Sequence, residues 1–201
     1  MKTLILVLFL LAFSMQLQAQ EAEFGAKLGF HQASIDGDSS DDFEYAFGPA
    51  IAAFVKVPLG TSFSFQPELQ YGAYGANSGE VDTRMKQVNF PLKVNWFPGA
   101  NGNNDGFKVN LGPQIGFVVQ DELKGGGEDI DLSDLLQDNG GSFEEVDLGA
   151  TLNLGYEFDF GLWLETGAYH SVLPIWETGT GLENYNTVGT FTVGYNFNAY
   201  D

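Results

Sequence analysis

Residues 146–158 read Val-Asp-Leu-Gly-Ala-Thr-Leu-Asn-Leu-Gly-Tyr-Glu-Phe. Val146, Leu148, Ala150, Leu152, Leu154, Tyr156 and Phe158 alternate without a break with Asp147, Gly149, Thr151, Asn153, Gly155 and Glu157. Successive side chains of a strand point to opposite faces, so a period of two predicts a strand with one bulky apolar face and one small or polar face. The pattern recurs on both sides. Phe63, Phe65, Leu69 and Tyr71 oppose Ser64, Gln66, Glu68 and Gln70; Val88, Phe90, Leu92, Val94 and Trp96 oppose Gln87, Asn89, Lys93 and Asn95. Phe107, Val109, Leu111, Ile115 and Phe117 oppose Lys108, Asn110, Gly112, Gln114 and Gly116. Segments near 23–31, 46–57, 162–172 and 187–197 repeat the alternation and bring the predicted strands to eight. No helix of useful length competes with them.

The connections alternate as well. Those after the second, fourth and sixth strands are short, at 59–61, 98–106 and 159–161; those after the first, third, fifth and seventh are longer, at 33–45, 73–86, 120–145 and 173–186. In an up-and-down meander every long loop then falls at one end, which is the plan of an outer-membrane barrel with short periplasmic turns. Eleven residues at ~3.3 Å each, tilted ~40°, rise roughly 28 Å, close to the height of the apolar band of such a barrel. The predicted fold is all-β: an eight-stranded antiparallel up-and-down transmembrane β-barrel.

Alternation alone does not say which face points inward. An eight-stranded barrel has an interior just wide enough for side chains to fill, so the face rich in Gly, Ala and Ser belongs inside and the Phe, Leu, Val and Tyr face outside. The small face also balances its charge: Lys27, Lys56, Lys93 and Lys108 stand against Glu68, Asp147, Glu157 and Glu165. A closed lumen requires such pairing, because an unpaired buried charge costs several kcal/mol. These eight residues are the candidate lumen network, with Gln66, Gln70 and Trp163 as further filling. The outward aromatics Phe24, Phe63, Trp96, Phe107, Phe158 and Phe197 gather at the short-turn end, as an interfacial girdle does.

The N-terminus carries an address. Lys2 precedes a ten-residue apolar run at 4–13 and a small residue at Ala19, the pattern of a secretory signal peptide cleaved after Ala19. The predicted organisation is a signal peptide at 1–19 and one barrel domain at 20–201. Ten apolar residues are too few for a spanning helix, which needs about 20. The full chain of 201 residues has 8 Lys plus Arg, 27 Asp plus Glu, two His and no Cys, for a net charge of −19. That charge argues against nucleic acid as a partner. The lack of Cys excludes disulfides, thiolate metal sites, a cysteine nucleophile and a lipid-modified N-terminal Cys. No cofactor is implied.

The four long loops hold 18 of the 27 acids and only Arg84, Lys86 and Lys124 in return, a net charge of −15. This predicts an acidic outer rim that is solvated, or that binds divalent cations directly or by bridging lipopolysaccharide phosphates. Asp36 and Asp38 have the spacing of a calcium loop, but Asp41 stands where that loop needs Gly and its closing Glu is missing; Asp129 and Asp131 are equally weak metal candidates. Residues 130–137 read as a short helix capped by Asp131 or Ser133. His31 with Ser34 or Asp36, and His170 with Ser171, are the possible catalytic pairings, and neither carries a recognisable motif, so no enzyme activity is predicted.

Five blocks together resemble the PorT-like outer-membrane β-barrel family of Gram-negative bacteria: Phe-Gln-Pro-Glu-Leu-Gln-Tyr at 65–71, Asn-Phe-Pro-Leu-Lys-Val at 89–94, Asn-Leu-Gly-Pro-Gln-Ile-Gly-Phe at 110–117, Leu-Gly-Tyr-Glu-Phe at 154–158 and Val-Gly-Tyr-Asn-Phe at 193–197. The likeness covers residues 22–197. Two features depart from it: Asn198-Ala199-Tyr200-Asp201 follow the terminal aromatic Phe197, and Gly167 stands where the family often has an inward Arg. The resemblance implies the outer membrane and a barrel, and it transfers no catalytic residue. The function expected is a structural, adhesive or assembly role with outer-membrane lipid and lipopolysaccharide as surroundings. The alternatives are a narrow passive channel for small solutes and a soluble periplasmic ligand-binding barrel.

Overall fold

The computed structural model describes residues 22–37, 44–78, 81–99, 105–125 and 128–198; the expected signal segment lies outside them. In chain order the elements are β1 (Glu23–Gly37), β2 (Glu44–Pro58), β3 (Phe63–Ser78), β4 (Val81–Trp96), β5 (Gly106–Gly125), β6 (Glu128–Asp131), α1 (Leu132–Asp138), β7 (Ser142–Phe143), β8 (Val146–Glu157), β9 (Leu162–Ser171), β10 (Trp176–Glu177) and β11 (Glu183–Asn196). Eight of the strands form the wall. They follow the order β1-β2-β3-β4-β5-β8-β9-β11, all antiparallel, and β11 pairs back onto β1 from Gly25↔Asn196 to Gly37↔Asn184. The sheet is therefore a closed barrel without free edges, the arrangement that satisfies every backbone group where water is absent.

The predicted faces hold along the middle of each strand. Leu28, Ile51, Leu111 and Leu152 lie on the exterior, and Leu28 is 67% exposed. Ser64, Gln66, Asn89, Asn95 and Asn110 lie buried inside. Bulk inside needs small neighbours. Trp163 and Phe54 meet edge-on at 5.6 Å between centroids. A Cβ at Gly194 would come within 2.2 Å of the Trp163 ring, and one at Gly25 within 2.2 Å of the Phe54 ring.

The strand ends depart from the sequence reading. The segment 73–86 is not a loop: β3 and β4 continue as a hairpin whose last pair is Ser78↔Val81. Within 120–145, β5 runs on to Gly125 and β6 folds back against it from Gly125↔Glu128 to Glu122↔Asp131. The reason is that the inward parity persists above the membrane but turns apolar. Ala33, Ile35, Tyr74, Ala76, Met85 and Val188 form a buried cluster with Leu132 of α1, Ile175 and Trp176. Burying this cluster rewards continued pairing of the strands. The short elements close over it as a cap: Trp176 of β10 pairs with Phe143 of β7 on one side and with Asn184 of β11 on the other.

The helix in the cap corrects a second expectation. Asp131 occupies the N-cap position but makes no side-chain cap hydrogen bond. The Ser133 N–H instead donates to the Asp121 carboxylate of β5 at 2.8 Å, so the cap comes from the wall. Asp121→Ala is expected to cost ~1 kcal/mol, the usual value of an N-cap, and to act on the cap alone. Limited proteolysis of the folded protein should then cut faster within 132–141 while the barrel's heat-modifiable gel mobility stays unchanged.

Candidate functional site

The interior is the part of the molecule where costly groups are concentrated. Lys27 of β1, Lys56 of β2, Lys93 of β4 and Lys108 of β5 all point into the lumen and are almost fully buried. Strand parity alone puts them there; what holds them is carboxylate. Glu165 of β9 lies 2.9 Å from Lys93, 3.7 Å from Lys27 and 3.7 Å from Lys108, and it accepts a hydrogen bond from Asn110 Nδ2 at 2.6 Å. Glu68 of β3 lies 2.5 Å from Lys27 and 3.3 Å from Lys93, and accepts from Gln66 Nε2 at 2.8 Å. Glu157 of β8 lies 2.5 Å from Lys56 and 3.8 Å from Lys108. Lys108 Nζ also sits 3.7 Å from the centroid of the Trp163 ring, whose negative face takes up part of the charge.

Of the eight lumen residues named from the sequence, the structure brings seven into this network and leaves one out. Asp147 forms no ion pair among the described residues. Its carboxylate instead accepts hydrogen bonds from Tyr169 Oη at 2.6 Å, Ser171 Oγ at 2.6 Å, Asn186 Nδ2 at 2.8 Å and, more weakly, Gln87 Nε2 at 3.4 Å. Asp147 begins the inward face of β8 at its outer end, whereas the lysines lie nearer the short-turn end, so neutral donors must serve it. The fourth carboxylate of the lysine network is Glu23, 2.7 Å from Lys56. Sequence reasoning missed it, although the signal was present: Glu23, Gly25 and Lys27 share one parity. Below Lys56 the buried Phe97 ring closes the short-turn end, 5.7 Å from the ammonium.

Neither histidine meets the partner that the sequence offered it. His31 is buried, 2.8 Å from the Gln70 amide nitrogen and edge-on to Tyr74. Ser34 and Asp36 follow on the opposite parity, and Asp36 accepts from Thr187 Oγ1 at 2.5 Å. His170 faces outward, stacked on Tyr185 and 2.7 Å from Thr187 Oγ1, while Ser171 points inward to Asp147. Of the metal candidates, Asp38 lies outside the described residues and only the backbone of Asp129 is described. Asp131 is exposed in the cap. Among the described residues no three His, Asp or Glu side chains gather as a ligand set.

The six aromatics named for the girdle all lie toward the short-turn end. Phe24, Phe63, Trp96, Phe107 and Phe197 are exposed on the outer surface, and Phe63 pairs with Trp96 across β3 and β4. Phe158 is half-buried in its turn, between Tyr156 and Phe160 at centroid distances of 4.9 and 5.3 Å. Tyr156 and Tyr195 extend the belt beyond the residues predicted for it.

The profile of the family described as "Outer membrane protein beta-barrel domain" matches residues 18–176. No curated protein sequence matches the chain. Among solved structures, the fold is similar to Neisserial surface protein A (NspA), at 14% identity over 89% of this chain and 100% of that one, with a TM-score of 0.57. Ail, the attachment invasion locus protein of Yersinia pestis, aligns at 12% identity over 88% of this chain and 99% of its own, with a TM-score of 0.48. The E. coli Outer Membrane Protein W aligns at 13% identity over 89% and 99%, with a TM-score of 0.39.

Proposed function

The chain belongs to the outer membrane protein beta-barrel domain family, and from that premise we propose that it is a closed, non-conducting barrel with a structural or adhesive role, presenting its cap to the outside. One observation carries this reading: side chains occupy the lumen along its length and leave, in its middle, a void of only about 10 Å³ between Lys27, His31, Lys93 and Tyr169. From the short-turn end upward it holds Phe97, then the lysine–glutamate network with Trp163, then the hydrogen-bonded cluster around Asp147, then the apolar cluster under the cap. Wide aqueous pores need ~16 or more strands, and a void of about 10 Å³ holds no more than about one water.

The reading extends to the parts outside the described residues. Cleavage after Ala19 would deliver the mature barrel, with lipid and lipopolysaccharide around it. The five sequence blocks argue for the PorT-like branch of the family and for an assembly role beside other envelope proteins. Catalysis forms no part of the proposal. A soluble periplasmic barrel is disfavoured by the bare exterior of Leu28, Ile51 and Leu111, each at least 60% exposed, since a contiguous apolar surface of this kind needs a lipid or protein cover.

Planar-bilayer recording tests the proposal. The refolded protein is expected to give no reproducible conductance steps. Steps of uniform size from the wild-type barrel would overturn it in favour of the channel.

A further inference from the structure

Among the described residues two ladders of the wall shift register toward the outer side, β4–β5 between Lys86 and Gln87 and β2–β3 beyond Tyr45. β2 and β3 pair at Glu44↔Asn77 and Tyr45↔Ala76, and the ladder resumes only at Ala50↔Gly72, one residue out of step. A groove of about 400 Å³ opens over this break, between Phe47 and Pro49 of β2, Tyr71 and Ala73 of β3, and Arg84 and Lys86 of β4. Its size falls within the range of ligand pockets, about 300–1,000 Å³.

The placement of the two cations gives the groove its chemistry. Arg84 and Lys86 flank the buried Met85, so both point out of the barrel. Farther along the same outward parity of β4 come Val88, Phe90, Leu92 and Val94. The cations therefore stand directly above the apolar band, at the depth of lipid headgroups, while Phe47 and Tyr71 expose apolar rings beside them. No carboxylate lines the groove among the described residues; the nearest, Glu122 of β5, stands opposite Arg84 across the strand pair and is itself held by Lys124 at 3.2 Å. Lys86 donates to Gln120 Oε1 of β5 at 2.6 Å, which fixes one of its three donors and steadies the ammonium. A guanidinium and an ammonium two positions apart on one strand face suit a phosphate, which Arg binds through two parallel hydrogen bonds.

We propose that this groove binds one phosphorylated lipid of the surrounding outer leaflet, its phosphate held by Arg84 and Lys86 and its acyl portion laid against Phe47 and Tyr71. The rest of the outer rim repels anions. The lipid is thus directed to one side of the barrel, which would give the protein a preferred orientation among lipopolysaccharide molecules.

The proposal rests on the outer-membrane orientation given above, and the test separates the two. The refolded barrel is placed in phosphatidylcholine nanodiscs, titrated with diphosphoryl lipid A, and released for native mass spectrometry to count retained lipid. Wild type is expected to keep one lipid A per barrel. Arg84→Gln/Lys86→Gln is expected to retain it roughly tenfold less or weaker still, the effect of losing charge-assisted hydrogen bonds. Lipid A stripped of both phosphates should be retained by wild type no better than intact lipid A is by the variant. Equal retention of intact and stripped lipid, or of lipid A by wild type and variant, would overturn the proposal. Displacement of lipid A by an equal concentration of inorganic phosphate would reassign the site to a free anion and overturn it too. A reversed orientation would show separately, as an uncleaved cap when intact cells are treated with protease.

Discussion

Replacing Glu165 with Ala is expected to lower folded stability by about 3–5 kcal/mol, the cost of removing one partner from a buried charge group. Among the described residues Glu165 is the one carboxylate within 4 Å of three lysines, Lys27, Lys93 and Lys108. Without it Lys93 keeps only Glu68, at 3.3 Å, and the lysine network holds four ammonium groups against three carboxylates. The penalty comes from the stranded charge and not from the bond as such. Glu165→Leu combined with Lys93→Met is therefore expected to recover most of the loss, because replacing both partners of a buried pair with apolar groups of like volume is close to neutral or better. Urea titration of the barrel in detergent micelles, followed by tryptophan fluorescence, reads both. A single variant within about 0.5 kcal/mol of wild type, the range of ordinary surface substitutions, would contradict the buried network.

On the other face, Leu111→Arg is expected to cost ~2–4 kcal/mol in phospholipid vesicles, the value for an arginine near the bilayer midplane of a barrel. Leu111 is 60% exposed, pairs with Leu152, and lies on β5 between the outward rings of Phe107 and Phe117. The same change at Leu173, which is half exposed just past the end of β9 at the outer side, should cost about 0.5 kcal/mol or less, as for a surface position in water. The difference between the two sites measures the medium around Leu111. Equal, small effects at both would mean that water and not acyl chain covers the belt.

Much of this architecture is legible in the order of the residues because one geometric rule governs it. A strand shows each face every second residue, so the side on which Lys27, Lys93 or Glu68 stands follows from counting. Closure into eight staves follows from the alternation of short and long connections. Two things do not follow. Parity says which face a residue occupies but not how high in the barrel it sits relative to residues on distant strands. Asp147 and Glu157 share the inward face of β8, yet only Glu157 is level with a lysine, and Glu23 supplies the remaining acid. The second limit is where strands stop. Gly, Asp and Asn in 73–86 and 120–145 mark turns by composition, but inward Tyr74, Ala76 and Met85 extend the wall by offering it an apolar core. Counting on past His31 to Ala33 and Ile35 on the same parity would have revealed that the filling changes from polar to greasy above the membrane. The helix at 132–138 is legible but its cap is not, since the capping carboxylate, Asp121, lies twelve residues before the backbone amide that it serves.

The ion network also constrains how the protein enters its membrane. Its members come from β1, β2, β3, β4, β5, β8 and β9, and the Lys93–Glu165 contact joins residues 72 positions apart. A half-formed sheet crossing the bilayer would turn Lys27 or Lys93 toward hydrocarbon before Glu165 had arrived, at a price of ~2–4 kcal/mol for each lysine near the midplane. Stepwise threading of hairpins is therefore uphill, whereas docking of all staves around a shared polar axis is not. The wiring of the interior makes insertion concerted: the seam between β1 and β11 has to meet while the charged centre is still sheltered, either by water or by a catalyst that holds the sheet's open edges.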